Sequence, residues 1–201
     1  MAVRSVQLGE IAEILVGYPT KRHYPAAAQR SEKVLSVRAL KDTGIDRQLM
    51  AEVVEARTPG NKYRVRPGDV LVPARSTAFK PCIVPNDLDG TVFNATLICI
   101  RCLPKLKPSL LLAYLLSEQG LEAVRAITHS GTAQMNVTAS SLAQLVVPFS
   151  PSEHQERLAD LLEWSETAYI AALEAARCRR ELARHIVVQR MLTQNPENNS
   201  D

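Results

Sequence analysis

The sequence predicts an α+β protein: a small, curved, β-rich domain with short helices, followed by one long C-terminal helix. Three observations carry this prediction. Up to about Arg101, short runs rich in Val, Ile and Leu alternate with turn-forming clusters. From Pro108 to Ile127 the texture turns helical. From Ser152 to Asn195 neither Gly nor Pro occurs, and Ala, Leu, Glu and Arg dominate.

In chain order, the expected strands are Val6 to Leu8, Ile11 to Val16, Val34 to Val37, Ala51 to Glu55, Tyr63 to Val65, Val70 to Val72 and Val92 to Cys102. Between them lie Tyr18-Pro19, Asp42-Thr43-Gly44, Thr58-Pro59-Gly60-Asn61, Pro67-Gly68-Asp69 and Asn86 to Gly90, each with turn chemistry. Such closely spaced short strands fold into a strongly curved antiparallel sheet. Pro108 suits a first helical position, Leu110, Leu111, Ala113, Tyr114 and Leu115 supply an apolar face, and Gly120 marks a stop. A second helical piece, Leu121 to Ile127, follows. His129 to Asn136 is a polar loop, and Leu145 to Val147 is a last strand ending at Pro148.

The final helix has the clearest start signal. Ser150 is placed as N-cap, Pro151 at the first helical position, and Glu153 can reach back to the cap amide. The uninterrupted stretch predicts about 40 helical residues, roughly 60 Å at about 1.5 Å per residue. Leu158, Leu162, Ser165, Tyr169, Ala172, Ala176, Ala183 and Ile186 recur mostly at steps of three and four, a coiled-coil seam in which Arg179 and Arg190 also fall. The expected division is a domain over 1–149, the long helix over 150–193, and a polar tail over 194–201 that is expected to be disordered.

Composition narrows the function classes. With 201 residues, 46% hydrophobic and 22% charged, the chain is neither disordered nor fibrous. Its longest apolar run, Leu110 to Leu116, falls short of a membrane span, the N-terminus lacks the apolar stretch of a signal peptide, and four cysteines make no disulfide framework. A cytoplasmic protein without a membrane partner is expected. Residues 1–110 carry 17 Lys/Arg against 10 Asp/Glu, whereas the remainder carries 7 against 11. The positive charge therefore belongs to the first half, concentrated in Lys21 to Lys41 and Arg57 to Lys80, which points to a polyanionic partner or to a solvated basic surface.

Catalysis finds little support in the residues. There is no glycine-rich phosphate loop, and His23, His129, His154 and His185 are scattered. Cys99-Ile100-Arg101-Cys102 has CxxC spacing but no second pair beside it, and on a strand residues three apart face opposite ways. Buried thiols, with no metal, are expected.

Several fragments in this order resemble the DNA-specificity (S) subunits of type I restriction-modification systems. Leu8 to Glu13 looks like the opening strand of a target recognition domain, and Tyr63 to Val72 looks like its internal Gly-Asp turn and strand. Phe93-Asn94-Ala95 continues the pattern. Gly131 to Val137, then Leu142, Leu145 to Pro148 and Gln155, looks like the loop, strand and proline-to-glutamine lead into the conserved helix. Full-length members resemble two copies of this unit, so this sequence looks like a half-subunit.

The resemblance implies a non-catalytic reader of double-stranded DNA that recruits methyltransferase (M) subunits and a restriction/translocase (R) subunit. It would hold no cofactor of its own, since S-adenosylmethionine, ATP and Mg would belong to those partners. Two copies would pair through antiparallel helices by way of Leu158, Leu162, Tyr169, Ala172, Ala176, Ala183 and Ile186. The DNA-contact candidates are cations for phosphates and amides for base edges: Lys21, Arg22, His23 and Tyr24; Arg75, Ser76, Thr77 and Lys80; and Thr132, Gln134 and Asn136. The alternative is a β-rich protein-interaction scaffold on a helical stalk, without DNA specificity.

Overall fold

The computed structural model describes residues 4–19, 30–42, 44–55, 59–128 and 134–193, and the chain divides into two compact units, Met1–Ala159 and Asp160–Asp201. Lys21, Arg22, His23, Tyr24 and Thr132, and the tail 194–201, lie outside the described residues.

The first unit opens with β1 (Arg4–Gln7), a single helical turn α1 (Leu8–Ile11) and β2 (Ala12–Val16). After it come β3 (Arg30–Leu35), β4 (Leu40–Lys41), β5 (Gly44–Ile45), β6 (Ala51–Glu55), β7 (Val70–Pro73), β8 (Arg75–Ser76), β9 (Cys82–Ile83), β10 (Val92–Phe93) and β11 (Leu97–Cys102). The helices α2 (Pro108–Leu116) and α3 (Glu118–Ile127) precede β12 (Met135–Asn136), α4 (Ala139–Ala143) and β13 (Val146–Phe149).

At the centre is a four-stranded antiparallel sheet in the order β2-β11-β7-β9. Both of its faces are covered. Ile98 and Ile100 of β11, with Val70 and Val72 of β7, enter a cluster with Leu111, Leu115, Val124 and Leu142 from the helices. Leu97, Cys99 and Leu71 face the other way, onto Leu35, Val65 and Phe93. Burial on two faces is why these strands read as near-continuous apolar runs rather than alternating ones. The same pleat separates the CxxC thiols: Cys99 is buried on one face, and Cys102 lies half-buried toward the other.

Around this sheet lie a three-stranded sheet β10-β3-β6, in which β10 runs parallel to β3, and three two-stranded ribbons, β1-β13, β4-β5 and β8-β12. The β1-β13 ribbon pairs Arg4 with Phe149 and Ser5 with Pro148, joining the two ends of the domain.

The structure departs from sequence expectation at several places. Leu8 and Ile11, expected on strands, bound the helical turn α1 between β1 and β2, where both are buried. The strand expected over Val92 to Cys102 breaks at Asn94 to Thr96, where the Asn94 carboxamide oxygen accepts from both the backbone N–H and the hydroxyl of Thr96. Gly17 sits against this turn, and a Cβ there would lie 2.0 Å from the Asn94 carbonyl oxygen. Tyr63 to Val65 is not a strand. A 3-10 turn covers Asn61–Tyr63, followed by a single bridge from Arg64 to Val92. Gly120 does not end α2. Ser117 does, and its hydroxyl caps α3 by accepting from the Gly120 N–H. A side chain at position 120 would strike the Tyr114 carbonyl. Finally, Pro148 lies within β13 on a two-stranded ribbon, where its missing N–H costs no interior bond.

The Arg66-Pro67-Gly68-Asp69 turn has Gly68 at φ +84°, and Asp69 N–H donates to the Arg66 carbonyl, the arrangement of a type II turn. The Asp69 side chain, 2% exposed, then accepts from the Arg66 N–H and receives a two-pronged bond from Arg101 at 2.9 and 2.7 Å. Arg101 also donates to the Arg64 carbonyl. This buried pair holds the turn against β11, and Asp69 raises the Arg101 pKa by hydrogen bonding.

A single α5 (Ser152–Thr193) of 42 residues runs through the second unit. It begins one residue later than the Ser150 cap implies, because the Pro151 carbonyl accepts the first helical bonds, from His154 and Gln155. No helix among the described residues is long and apolar enough to cross a membrane.

Replacing Asp69 by Ala leaves the partly buried Arg101 without its counter-charge. The variant is expected to lose about 3–5 kcal/mol of stability, read as a lower urea midpoint at unchanged slope.

Candidate nucleic-acid interface

Two sequence-predicted loops meet in the β8-β12 ribbon. Asn136 stands opposite Arg75 and Met135 opposite Ser76. Met135 packs toward the main core and Val137, the next residue, is buried at 4%, so the Arg75 and Asn136 side of the ribbon faces outward. On the inner side the Ser76 hydroxyl bonds both the N–H and the carbonyl of Ala78, holding the loop toward the buried Phe79. Ser76 is thus a turn-holding residue, while Thr77 and Gln134 are exposed.

Arg75 and Asn136 line a concave groove of about 720 Å3 with Val16, Pro19, Val37 and Ala95 among its other walls. A smaller groove of about 240 Å3, which shares Val37, is lined by Arg38, Lys41, Ser76 and Lys80. Lys80 is half-buried, and its ammonium lies 2.7 Å from Asp42 Oδ2. Arg38, Lys41 and Arg75 are exposed. The structure therefore adds Arg38 and Lys41 to the predicted set. Their signal in the sequence was the basic window Lys21 to Lys41, which does not by itself say which cations share a face.

Three other arginines of the domain are committed internally. Arg47 pairs with Asp87, Arg64 with Glu32 and the Gly90 carbonyl, and Arg101 with Asp69. No group of three or more His, Cys, Asp or Glu among the described residues is arranged to hold a metal ion. Burial pushes the Cys82 thiol up to about 11 and Cys102 up to about 12, and it raises Cys99 as well. These thiols are unionised at neutral pH and poor nucleophiles.

A second feature sits at the start of α5. Gln155, 2% exposed, accepts from the Lys107 N–H and donates to the carbonyls of Lys105 and Ser150. Three backbone groups that α2 and β13 leave unpaired are thereby satisfied by one carboxamide.

Beyond residue 160, α5 exposes its apolar side chains. Tyr169 is 54% and Ile186 47% exposed, and the predicted alanines Ala172, Ala176 and Ala183 are open; Leu158 and Leu162, nearer the helix start, are less so. A second stripe runs beside the predicted seam at strict steps of three and four: Leu161, Trp164, Ala168, Ala171, Ala175, Cys178 and Leu182. Trp164, the only tryptophan, is 76% exposed. The sequence carried this signal too, because the heptad spacing can be counted from Leu161 as readily as from Leu158.

Two outcomes follow. Gln155→Ala should lower stability by about 2–3 kcal/mol, since it strands a buried N–H and two carbonyls, read as a melting point lower by roughly 4–12 °C. In native protein at pH 8, alkylation should spare Cys82 and Cys99, and all four thiols should react after denaturation.

No protein-family model matches the chain, and no curated protein sequence does. Solved structures do. A structure of a type I restriction-modification system, described for its complex assembly and conformational transition, matches 96% of this chain and 45% of its own, with a TM-score of 0.64 and 21% identity. The HsdS subunit from Thermoanaerobacter tengcongensis matches 99% of this chain and 51% of its own, at 0.61 and 22%. The type I S subunit from M. genitalium matches 98% and 47%, at 0.60 and 15%. The chain spans about half the length of these neighbours, and its fold is that of one half of a type I restriction-modification S subunit.

Proposed function

We propose that this chain is a non-catalytic, sequence-specific DNA-recognition module of a type I restriction-modification complex, acting in the cytoplasm. One observation carries the reading: the likeness to S subunits extends over 96–99% of the chain, so the β-rich domain and the long helix match together. The exposed cations Arg38, Lys41 and Arg75 on neighbouring grooves support it, because a duplex presents closely spaced phosphates to such a face. Methylation and cleavage belong to M and R subunits, which bring S-adenosylmethionine, ATP and Mg.

The two stripes on α5 suit two partners. The seam through Leu158, Leu162, Tyr169, Ala172, Ala176, Ala183 and Ile186 pairs with the same seam of a second copy, antiparallel, so that two half-subunits rebuild a bipartite reader. The stripe through Leu161 and Trp164 then remains for the M subunits.

A salt titration of duplex binding tests the core of this reading. Affinity should fall linearly on a log-log plot, and removing Arg38, Lys41, Lys21 or Arg22 should each flatten the slope by about one phosphate's share. Affinity for DNA that is absent or indifferent to salt would point to the scaffold instead. Replacing Leu158 and Leu162 together by Asp should convert dimers to monomers by solution mass. A dimer of identical readers must address an interrupted palindrome. Co-purification with M subunits and sequencing of methylated sites checks this, and an asymmetric bipartite target would show that a different half-subunit completes the assembly.

A further inference from the structure

We propose that the β8-β12 ribbon is the base-reading element, with Arg75 and Asn136 addressing a guanine and an adenine in adjacent base pairs of the major groove; this rests on the DNA-recognition reading above. Ladder geometry places the two side chains together. The Val137 N–H donates to the Ala74 carbonyl, so the ladder bond on this side falls between the residues that flank Arg75 and Asn136 rather than between those two. Arg75 and Asn136, opposite each other, are then a pair of the non-hydrogen-bonded kind, with Cα atoms about 4.5 Å apart and side chains on one face. That separation is close to the stacking distance of base pairs, about 3.4 Å. A two-stranded ribbon also fits the major groove, which is about 12 Å wide.

The chemistry of the pair is that of base readout. Arg presents a donor fork that matches guanine O6 and N7, and Asn presents a donor beside an acceptor that match adenine N7 and N6. Both side chains are exposed, and neither bonds another described residue. This sets Arg75 apart from Arg47, Arg64 and Arg101, whose guanidiniums are committed to carboxylates. The apolar walls beside the ribbon, Val16, Val37 and Ala95, suit the thymine methyl that an A·T pair presents on the same edge.

The ribbon is also anchored at the start of β8 and at the end of β12, as a reading element requires. Ala74 N–H donates to the Thr96 carbonyl, which ties the start of β8 to the Asn94 turn. Val137 anchors the end of β12 in the core, and Thr138 immediately opens α4 with a reciprocal cap to Ser141. Arg38 and Lys41, by contrast, sit at the smaller groove, where a cation meets phosphates and carries no sequence information.

The test is selection of the full chain on a randomised duplex library, with sequencing, alongside binding titrations. The unmodified protein should enrich a G and an A at neighbouring positions. Asn136→Ala should erase the adenine preference, a loss of discrimination of about 5- to 150-fold, and leave the salt slope unchanged. Arg75→Ala should relax the neighbouring guanine. Asn136→Asp should exchange adenine for cytosine at the same position, a gain that misfolding cannot mimic. Sequence-specific binding with an unaltered motif in all three variants overturns the ribbon as reader and leaves the DNA-recognition reading standing. Absence of DNA binding, or binding without sequence preference, by the unmodified chain overturns both.

Discussion

From Leu97 to Ile100, strand β11 has no face left for water. Its pairing with β2 on one side and β7 on the other, and burial above and below, force each neighbouring element to supply apolar cover or hydrogen bonds. The helices α2, α3 and α4 cover one face, and Leu35 of β3, Phe93 of β10 and Val65 cover the other. Only at its end does β11 present a charge, Arg101, and there the Gly68 turn brings Asp69 to meet it. The internal Gly-Asp turn is therefore structural: its glycine permits the turn, and its aspartate neutralises the one cation that the central strand carries into the domain.

The features legible in the sequence were those written in local periodicity. The apolar runs at Val70 to Val72 and Leu97 to Cys102 announce doubly covered strands, and the uninterrupted stretch after Pro151 announces a helix whose observed length is 42 residues. What escaped was decided by long-range partners. Strands of two residues, such as β8, β9 and β12, are too short for any period to show and exist because another segment pairs with them. Gly120 read as a stop because glycine commonly ends helices. Its actual constraint is a carbonyl from the preceding helix, which no local pattern reveals.

The candidate interface divides in the same way. Arg75, Thr77, Gln134 and Asn136 could be picked out by residue type on loops, but their juxtaposition depends on the β8-β12 pairing and could not be seen. Gln155 was visible only as one letter of a resemblance, whereas the structure gives it three backbone partners. Lys80 shows the converse limit. Its charge counted toward a basic window, yet its ammonium is already shared with Asp42.

The β1-β13 ribbon joins the first described strand to the last of the domain, and this has a cost in time. A ribosome adds about 5–20 residues per second, so the first strand emerges roughly 7–30 s before its partner is made. Through that interval Val6 and Leu8, both buried in the finished domain, have no permanent cover, and the core cannot close behind them. Contacts of such long sequence separation also slow folding itself. Synthesis of this domain therefore passes through an open, adhesive stage whose length is set by topology, and the strand that ends the wait lies only three residues before the long helix begins.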